Sequence, residues 1–374
     1  MHDVVIVGAG PVGMLLAGRL HRAGLEVTVL ERRPESSPGS RAIGLHAPVL
    51  AALEASGVTE RLLARALRVS SGEARSEGRL LGRIRFDRLS TRFPFVATLP
   101  QSETEAALAV DAPRVRRGVD VTAVRPEGGR VRVFFDGTEQ LLARVVIVAA
   151  GVGSRRLVFR DDGVAVRQYP DRYLMADLAA PGGPVAVVHL DRDGVLESFP
   201  LPSGRRRFVA WDGGADDADP AARTTRLRAR LERRGEHEAA AALEAASAFR
   251  VRRAVAPALV RGGLFVIGDT AHEVSPIGGQ GMNLGLLDAA TLAPLLIEWL
   301  RTDRRPDAAL RRWERDRVAS ARTAARLAAM NTTLGRTMGP SGDALRRTAL
   351  RAVLGTPLSG FVAHAYAMGL DRAA

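Results

Sequence analysis

The N-terminal residues alternate between apolar runs and a glycine-rich break. The run DVVIV at residues 3–7 is short and rich in β-branched residues, which predicts a buried strand. After the break VGAGPVG at 7–13, the segment MLLAGRLHRAG at 14–24 has the apolar spacing of a helix. The run EVTVL at 26–30 predicts a second strand, which ends beside Glu31. Together these patterns predict a strand, a tight turn, a helix and a strand in succession.

A similar pattern returns near the other end of the chain. The sequence GGLFVIGDTAHEVSPIGGQGMNLGLLDAATLAPLL at 262–296 predicts a buried strand at 264–267, a loop, and a helix from about Gln280. Asp269 follows this strand directly, at the position where open α/β sheets place their ligand contacts. The chain therefore carries two glycine-rich turns, each between an apolar strand and a helix.

Shorter strands and further helices are predicted between and after these two regions. The segment ALRVSSGEARSEGRLLGRIRFDRLS at 66–90 alternates apolar and polar positions, and more short strands are predicted between about 165 and 211. Helical patterns follow at about 220–234 and 236–246, and the last third of the chain is helical. These elements predict an α/β protein with a second sheet and a helical C-terminus.

Composition narrows the class of protein. The chain has 374 residues, of which 46% are hydrophobic, so it can bury the cores of two joined domains. Its uniformly apolar runs, such as 145–150, are far shorter than the roughly 20 residues that span a bilayer, so no transmembrane helix is expected. A strand-like run begins at once where a signal peptide would stand, which favours a cytoplasmic location. The absence of cysteine excludes disulfides and thiol-based mechanisms.

The net charge of +13 raises the question of nucleic-acid binding. All 54 cationic residues are arginine, they are scattered along the chain, and only 5% of residues are aromatic. Stacking platforms for single strands are therefore scarce, and nucleic-acid binding is disfavoured. The absence of lysine also excludes mechanisms that need a lysine amine, including that of the flavin-dependent halogenases.

The first glycine-rich turn predicts a dinucleotide site. Glycines at 8, 10 and 13, with Pro11 and Val12 between them, let the backbone approach a pyrophosphate, and the N-terminus of the helix favours its negative charge. Glu31 comes 18 residues after Gly13, where a carboxylate can accept hydrogen bonds from the adenosine ribose. This unit does not distinguish FAD from NAD.

The second turn favours FAD. A carboxylate at Asp269 can hold a polyol hydroxyl, and the glycines at 278, 279 and 281 leave room for a flat ring against the backbone. The N–H groups that follow face the position of the carbonyl oxygen of such a ring. A glycine-rich helix cap without a ligand is the structural alternative.

Four segments, 1–31, 41–46, 101–108 and 264–292, resemble the class A flavoprotein monooxygenases, the p-hydroxybenzoate hydroxylase family of aromatic hydroxylases. The resemblance implies that Asp269 binds the ribityl chain, that Arg41 lies near the pyrophosphate, and that Gln101 lies near the ribityl chain. The resulting set of cofactor-binding residues is Gly8, Gly10, Pro11, Val12, Gly13, Glu31, Arg32, Arg41, Gln101, Asp269, Pro276, Gly278, Gly279, Gln280, Gly281, Met282 and Asn283.

The resemblance also implies a division of the chain into domains. Residues 1–68, 101–160 and 255–305 are expected to form a discontinuous, Rossmann-like FAD-binding domain. Residues 69–100 and 161–254 are expected to form a mixed β-sheet substrate domain, and 306–374 a helical C-terminal region.

The implied activity is a monooxygenase reaction with FAD as cofactor and NAD(P)H as transient co-substrate. In this family reduced flavin adds O2 at C4a, and the resulting hydroperoxide hydroxylates an aromatic or polycyclic small molecule, here with a role in secondary metabolism. No metal site is expected, and the protein is expected to be a monomer or a homodimer. His189, Tyr169 and Tyr173 are candidate substrate-domain bases, whereas His46 and His272 are interpreted as packed or hydrogen-bonded histidines.

One landmark departs from the family pattern. After the strand RVVIVAAG the family usually carries an Asp-Gly pair, whereas this chain has Val152 followed by Gly153, Ser154 and Arg155. The retained glycine and arginine predict that the turn survives without the carboxylate. In the family this pair is associated with both FAD and NADPH handling, so the change bears on how the protein uses nicotinamide. An FAD-dependent reductase of an olefin or isoprenoid stays open as an alternative, and Val152 also keeps open a flavin-binding regulator without turnover.

Overall fold

The computed structural model describes residues 2–35, 42–160, 163–213 and 219–373. The strands of these residues are, in chain order, β1 (His2–Val7), β2 (Val27–Glu31), β3 (Gly44–Leu45), β4 (Leu67–Val69), β5 (Ser71–Ser76), β6 (Arg79–Arg85), β7 (Val96–Thr98), β8 (Val115–Arg117), β9 (Val121–Glu127), β10 (Arg130–Phe135), β11 (Glu139–Val148), β12 (Val166–Ala179), β13 (Val185–Asp191), β14 (Gly194–Leu201), β15 (Arg205–Asp212), β16 (Ser247–Val255), β17 (Val260–Arg261), β18 (Leu264–Val266) and β19 (His272–Glu273). The α-helices are α1 (Pro11–Arg22), α2 (Ala47–Glu54), α3 (Val58–Leu63), α4 (Gln101–Ala109), α5 (Pro220–Arg233), α6 (His237–Ala241), α7 (Gly281–Thr302), α8 (Asp307–Leu334), α9 (Pro340–Leu354) and α10 (Leu358–Tyr366).

The first sheet has the order β17-β18-β11-β1-β2-β8, and the hairpin of β9 and β10 is attached to β11. The pairs that join β18, β11, β1, β2 and β8 are all parallel. The apolar run of β1 and its partner on β11 are fully or almost fully buried, as strands covered on both faces must be. Because the carboxyl ends of parallel strands meet at one edge, the turns after β1, β11 and β18 lie side by side.

Helix α7 is a core helix of this domain. It packs against α1 and α2, and most of its residues from Asn283 to Ala293, together with Leu296 and Leu300, are buried. By length and composition it is the one helix among the described residues that could cross a membrane, but 67% of its most apolar window is buried inside the fold. Its apolar composition therefore has an explanation in packing.

The second sheet has the order β19-β16-β12-β15-β14-β13-β5-β6. Helices α5 and α6 cover one face, where they pack against Leu174, Leu196 and Phe208. The other face carries a separate apolar cluster that includes Ile277 of the second glycine-rich turn and residues of α8 and α9. Among the described residues, the second sheet is thus covered by α5 and α6 on one face and by the second glycine-rich turn, α8 and α9 on the other.

The predicted fold class is confirmed, and the differences lie at the ends of elements. The predicted strand at 264–267 ends at Val266, because Gly268 with a φ of +62° begins a 3₁₀ turn. The predicted helix at 236–246 is the shorter α6, His237–Ala241. A small third sheet of β3, β7 and β4 was not predicted. The division into domains stays a prediction.

Candidate functional site

The first glycine-rich turn joins β1 to α1 at the carboxyl edge of the parallel sheet. Gly8 has a φ of +110°, and a Cβ at this position would lie 2.6 Å from the carbonyl oxygen of Ala149. A Cβ at Gly13 would lie 2.0 Å from the carbonyl oxygen of Gly8. Both positions need glycine so that the turn, the helix and the neighbouring strand can approach one another.

Gly10 is open where those two glycines are crowded. Its φ is −75°, and an added Cβ would meet no atom within 4 Å. Gly10 is the N-cap of α1, and no side chain caps this helix. The space beside Gly10 and the N–H groups of the first helical turn fit a pyrophosphate.

Glu31 ends β2 at the same edge, and Arg32 beside it is exposed. The Glu31 Oε2 accepts a hydrogen bond of 2.8 Å from the Ala9 backbone N–H, and its Oε1 accepts two of 3.0 Å from Arg33. Burial opposes ionisation, but these hydrogen bonds outweigh it and hold the pKa of Glu31 below its usual value. A carboxylate has about four acceptor positions, so a ribose contact is compatible with this geometry and stays a prediction.

The second glycine-rich turn exposes its backbone. Gly278 and Gly279 have φ values of +100° and +67°, which favour glycine. A Cβ at Gly278 would lie 3.0 Å from the Asn331 Nδ2, and one at Gly279 would lie 3.7 Å from the His46 Nε2. Gly279 and Pro276 are exposed. A flat ring could therefore lie against this backbone without displacing the protein's own main chain.

The two turns meet through Val12. A Cβ at Gly268 would lie 3.2 Å from the Val12 Cγ2, and a Cβ at Gly285 only 2.6 Å from the same atom. The start of α1, the loop after β18 and the first turns of α7 are therefore in direct contact. One extended cofactor can reach both glycine-rich turns.

The turn after β11 is the third part of this edge. Gly151 has a φ of +80°, and its carbonyl oxygen accepts hydrogen bonds from the Ser154 hydroxyl at 2.7 Å and the Thr270 hydroxyl at 3.1 Å. The Arg155 guanidinium donates to the carbonyl oxygens of Thr270 at 3.2 Å and Asp269 at 2.9 Å, and pairs with Glu273 at 2.9 Å. The turn forms without using the Val152 side chain as an acceptor.

Asp269 is exposed between the buried residues Gly268 and Thr270. Its backbone is held by Arg155, so its side chain is presented at the end of β18, as a contact to a polyol requires. This assignment fits the structure and stays a prediction.

Gln101 is the first residue of α4, and its Oε1 accepts a hydrogen bond of 3.3 Å from the backbone N–H of Ala42. Its Nε2 donates to Glu105 at 2.9 Å. Gln101 thus connects α4 to the segment that follows Arg41. Arg41 itself lies outside the described residues.

Asn283 uses its side chain inside the protein. Its Nδ2 donates to the carbonyl oxygens of Gly44 at 2.8 Å and Gly279 at 3.0 Å, and its Oδ1 accepts from the His46 backbone N–H at 2.9 Å. The residue therefore joins β3 to the second turn. Burial lowers the pKa of His46 to about 4, so this histidine is neutral, in agreement with its interpretation as a packed residue.

Three other residues of the predicted cofactor-binding set, at 280–282, differ in how their side chains are used. The buried Gln280 amide donates to the carbonyl oxygen of Ala365 at 3.1 Å, so its side chain connects the turn to α10. Met282 is half-buried against the main core, and Gly281 begins α7. Contacts of these residues to a flavin would therefore come mainly from their backbone.

His272 belongs to a buried charged network. Its Nε2 lies 2.6 Å from the Asp288 Oδ2, and the Asp288 Oδ1 accepts from the Arg317 Nε at 2.7 Å. Burial opposes ionisation of Asp288, but His272 and Arg317 outweigh it and lower its pKa. Arg317 also pairs with Asp371 at 2.7 Å, so the network ties α7 and α8 to the C-terminal residues.

The second sheet supplies an aromatic and apolar face opposite the second turn, called here the substrate face. Tyr173 is buried on this face and stacks on Phe249, with ring centroids 5.5 Å apart. Its buried hydroxyl has no hydrogen-bond partner of good geometry among the described residues, and burial raises the pKa of Tyr173. The substrate face is lined by Tyr169, Tyr173, Met175, Leu190, Val195, Val209, Trp211, Phe249 and Val251.

His189 does not join this face. The register pairs His189 with Leu196, which packs under α5 and α6 on the opposite side of the sheet. Its Nε2 lies 3.9 Å from Glu236 at the start of α6, and burial lowers the pKa of His189 to about 4. The register therefore separates the candidate base His189 from Tyr169 and Tyr173, which lie on the substrate face.

Glu197 is a residue that the sequence analysis did not select. It lies on β14 between Leu196 and Ser198, and the register pairs it with Val188 and Val209, which places it on the substrate face. Only 6% of its surface is exposed, and burial raises the pKa of Glu197 to about 8. A glutamate inside the largely apolar run VLESFPL was the available signal, but its meaning depended on knowing which face of the strand it occupies.

Comparison with known families gives a match over most of the chain. A family model described as an FAD binding domain matches residues 1–328. The match covers the turns after β1, β11 and β18 and the whole second sheet. No group of three or more His, Asp or Glu residues that could hold a metal ion occurs in the described parts of the chain.

Comparison with individual proteins gives relatives with named activities. The 6-methylpretetramide 4-monooxygenase of Streptomyces rimosus is 33% identical over 397 aligned positions, which cover 99% of this chain and 69% of that protein. A rifampicin monooxygenase of Streptomyces venezuelae is 32% identical over 317 positions, which cover 78% of this chain but 63% of that protein. The crystal structure of p-nitrophenol 4-monooxygenase from Pseudomonas putida superimposes with a TM-score of 0.88 at 22% identity, covering 100% of this chain and 99% of the other.

Proposed function

The chain belongs to the FAD-binding-domain family of class A flavoprotein aromatic monooxygenases, and we propose that it uses NAD(P)H and O2 to hydroxylate an aromatic or polycyclic small molecule. The observation that carries this proposal is the position of two glycine-rich turns at one sheet edge, the first with open space at Gly10 and the second with an exposed backbone, beside an aromatic face of the second sheet. The fold thereby brings a cofactor site and an apolar binding surface together.

The residues at the sheet edge fit FAD. The open space at Gly10 suits the pyrophosphate, Glu31 the ribose of the adenosine, Asp269 the ribityl chain, and the bare backbone at 278–279 the isoalloxazine. When bound, FAD would supply electron transfer from NAD(P)H and the activation of O2. The protein's own contribution is to hold this cofactor, orient the substrate and exclude water.

The substrate face supports a flat apolar substrate. Tyr173, Phe249 and Trp211 provide aromatic surface, and Ile277 connects this surface to the second turn. A ring held here would lie beside the backbone proposed to carry the flavin ring. The names of the Streptomyces relatives, which describe action on 6-methylpretetramide and rifampicin, favour a polycyclic compound and a role in secondary metabolism.

The test uses purified protein that carries FAD. A panel of phenols, naphthols and larger hydroxylated polycyclic compounds is screened for faster loss of NADPH and of NADH. We expect at least one compound to accelerate this loss and to yield a product that contains an atom from isotopically labelled O2. A product without the label would identify a reductase, and the absence of any acceleration across the panel would favour a flavin-binding regulator. Either result would overturn the proposal.

A further inference from the structure

Glu197 stands apart from the other buried carboxylates of the second sheet. Glu73 pairs with Arg75 and Arg83, at 2.6 and 2.8 Å. Asp212, likewise buried, pairs with arginines on neighbouring elements. Only 6% of the Glu197 surface is exposed, and its side chain makes no hydrogen bond or ion pair with any described residue. A buried polar group without a partner is costly and requires an explanation.

The register places Glu197 on an otherwise apolar surface. Its cross-strand neighbours are Val188 on β13 and Val209 on β15, and Val209 pairs in turn with Met175 on β12. Neighbouring strands are about 4.8 Å apart and side chains alternate between faces, so these four residues form one row across the substrate face. Glu197 is the only carboxylate in this row.

Two tyrosine hydroxyls lie within electrostatic reach of Glu197. The charge of Glu197 raises the pKa of Tyr173 and of Tyr366, in each case after the larger effect of burial. The Tyr366 hydroxyl donates to the Asn331 Oδ1 at 2.9 Å, and Asn331 is the residue that a Cβ on Gly278 would contact. Glu197 and the two tyrosines therefore lie around the approach to the second glycine-rich turn.

Other charged groups on elements packed against this region form ion pairs of their own. Asp171 on β12 accepts from the Arg336 guanidinium, which follows α8, at 2.6 and 2.9 Å. On α9, Asp343 pairs with Arg346 at 2.5 Å, and Arg346 also donates to carbonyl oxygens of β13. The apolar partners of Glu197 on β13 and β15 carry no charge. Glu197 therefore has no charged partner among the described residues, and its carboxyl group is available to bind a group that is not part of the protein.

We propose that Glu197 is the acid-base residue that binds the hydroxyl of a phenolic substrate and exchanges one proton with it. This inference rests on the proposed function, since it concerns the substrate of the same site. The phenol O–H bond breaks and an O–H bond forms on the carboxylate, with no change of oxidation state. The phenolate that results donates electron density into its ring, which favours attack by an electrophilic oxygen.

The environment of Glu197 supports this role. Burial raises its pKa to about 8, close to the pH at which an acid-base group works best. Ionised Glu197 with a phenol and neutral Glu197 with a phenolate give the same complex, which holds one proton between two oxygens. The pH dependence of binding should therefore reflect the coupled ionisation of Glu197 and the phenol, not that of either group alone.

The experiment uses the FAD-containing protein and two probes, 4-nitrophenol and its methyl ether 4-nitroanisole. Binding of each probe is measured at a series of pH values from 6 to 10, by the change in flavin fluorescence and, for 4-nitrophenol, by the visible absorbance of the phenolate. Above about pH 8 both 4-nitrophenol and Glu197 are ionised when free, so the complex must take up one proton as it forms. We therefore expect the affinity of the wild-type protein for 4-nitrophenol to fall by about tenfold per pH unit. In Glu197→Gln this fall should disappear, and in Glu197→Asp it should return.

Glu236→Gln is the matched control, because Glu236 is a half-buried carboxylate on the opposite side of the same sheet. The Glu236→Gln protein should bind both probes with the same affinity and the same pH dependence as the wild-type protein. At pH 6, where Glu197 is neutral, 4-nitroanisole should bind wild type and Glu197→Gln within about twofold, since it has no proton to exchange. Absence of 4-nitrophenol binding, or the same pH profile in wild type and Glu197→Gln, would overturn the inference.

Thermal unfolding checks that Glu197→Gln remains folded and tests the buried state of the carboxyl independently. The pKa of Glu197 is raised from 4.5 to about 8 in the folded protein, so the unfolded state loses its proton first as the pH rises. Wild-type stability should therefore fall between about pH 4.5 and pH 8, and Glu197→Gln should be the more stable protein at pH 8 but not at pH 4. A Gln variant that is less stable at pH 8 would show that the folded state favours an ionised Glu197, contrary to the inference.

Failure of the two proposals can be distinguished. The binding assay needs neither NAD(P)H nor turnover, so it tests Glu197 even if no compound is hydroxylated. Conversely, hydroxylation with a pH profile that is the same in Glu197→Gln and wild type would leave the proposed function standing and remove Glu197 from it.

Discussion

The two glycine-rich turns differ in why they contain glycine. In the first, Gly8 and Gly13 are crowded by the main chain, with added Cβ atoms 2.6 and 2.0 Å from carbonyl oxygens. In the second, an added Cβ at Gly278 or Gly279 would meet only side-chain atoms, at 3.0 and 3.7 Å. Close packing therefore explains Gly8 and Gly13 of the first turn, whereas Gly278 and Gly279 are explained by their positive φ values and leave an uncovered backbone surface. An open glycine is the stronger indication of a ligand.

The largest effect that tests this comparison is expected for Gly13→Ala. Its Cβ would lie 2.0 Å from the carbonyl oxygen of Gly8, so α1 must move away from the turn. We expect a loss of more than about 3 kcal/mol in the free energy of unfolding, beyond the usual range for overpacking. Chemical denaturation of the FAD-free protein measures this loss without a contribution from the cofactor.

Gly10→Ala is the matched control within the same turn. Gly10 has a φ of −75° and open space beside it, so alanine should leave the stability of the FAD-free protein nearly unchanged. It should nevertheless weaken FAD binding by about tenfold, or ~1.4 kcal/mol, because the new methyl group occupies the approach of the pyrophosphate. Equal FAD affinity in Gly10→Ala and wild type would show that the pyrophosphate lies elsewhere.

The next effect concerns Asp269, at the loop beside the second turn. Asp269→Ala removes a carboxylate from a backbone that Arg155 continues to hold, so the loop should keep its shape. Loss of a charged hydrogen bond to the ribityl chain should cost about 1.5 to 3 kcal/mol, or about tenfold to a hundredfold in FAD affinity. Fluorescence titration with FAD measures the change. Unaltered affinity, with an unaltered melting temperature, would contradict the ribityl assignment.

A smaller and mixed effect is expected for Glu31→Ala. The Glu31 carboxylate accepts the Ala9 N–H of the first turn at 2.8 Å, so its removal disturbs the turn as well as any ribose contact. We expect the free energy of unfolding of the FAD-free protein to fall by about 1 to 3 kcal/mol because a buried N–H is left without an acceptor, and we expect weaker FAD binding. Glu31→Arg should not produce an enzyme that prefers NADPH to NADH, since this site is proposed to hold the adenosine of FAD. A switch of that kind would show that the first turn binds the nicotinamide cofactor.

Much of the FAD-type half could be predicted from the sequence because its signals are local. The first strand, turn and helix, the strand before Asp269 and the helix after Gln280 all lie within three residues of the predicted positions. Glycines, β-branched runs and helical spacing report on short stretches of chain, and the first parallel unit follows from them.

The substrate half could not be predicted in the same detail, because its chemistry depends on which face of a strand each residue occupies. His189 and Glu197 lie on adjacent strands, yet the register places them on opposite faces of the sheet. A shift of one residue would exchange their positions. The roles of Asn283 and Gln280 were hidden for a related reason, since their partners Gly44 and Ala365 are distant in the sequence.

The third turn of the same sheet edge, which carries Val152, differs from both glycine-rich turns. The backbone here is held by Ser154, Thr270 and Arg155 rather than by residue 152. The carboxylate that the family usually carries is therefore not needed to shape this turn. We infer that its loss affects the encounter with the nicotinamide more than the binding of FAD.

The smallest expected effect follows from restoring that carboxylate. Val152→Asp should leave FAD affinity nearly unchanged and should speed reduction of the flavin by NADPH, which is measured as bleaching of the flavin absorbance in an anaerobic stopped-flow experiment. Val152→Asn, which has nearly the same shape but no charge, is the matched control and should not speed reduction. Faster reduction in both variants would indicate an effect of side-chain shape. An unchanged rate in Val152→Asp would mean that valine is a tolerated structural substitution, and that this protein meets its nicotinamide cofactor without using residue 152.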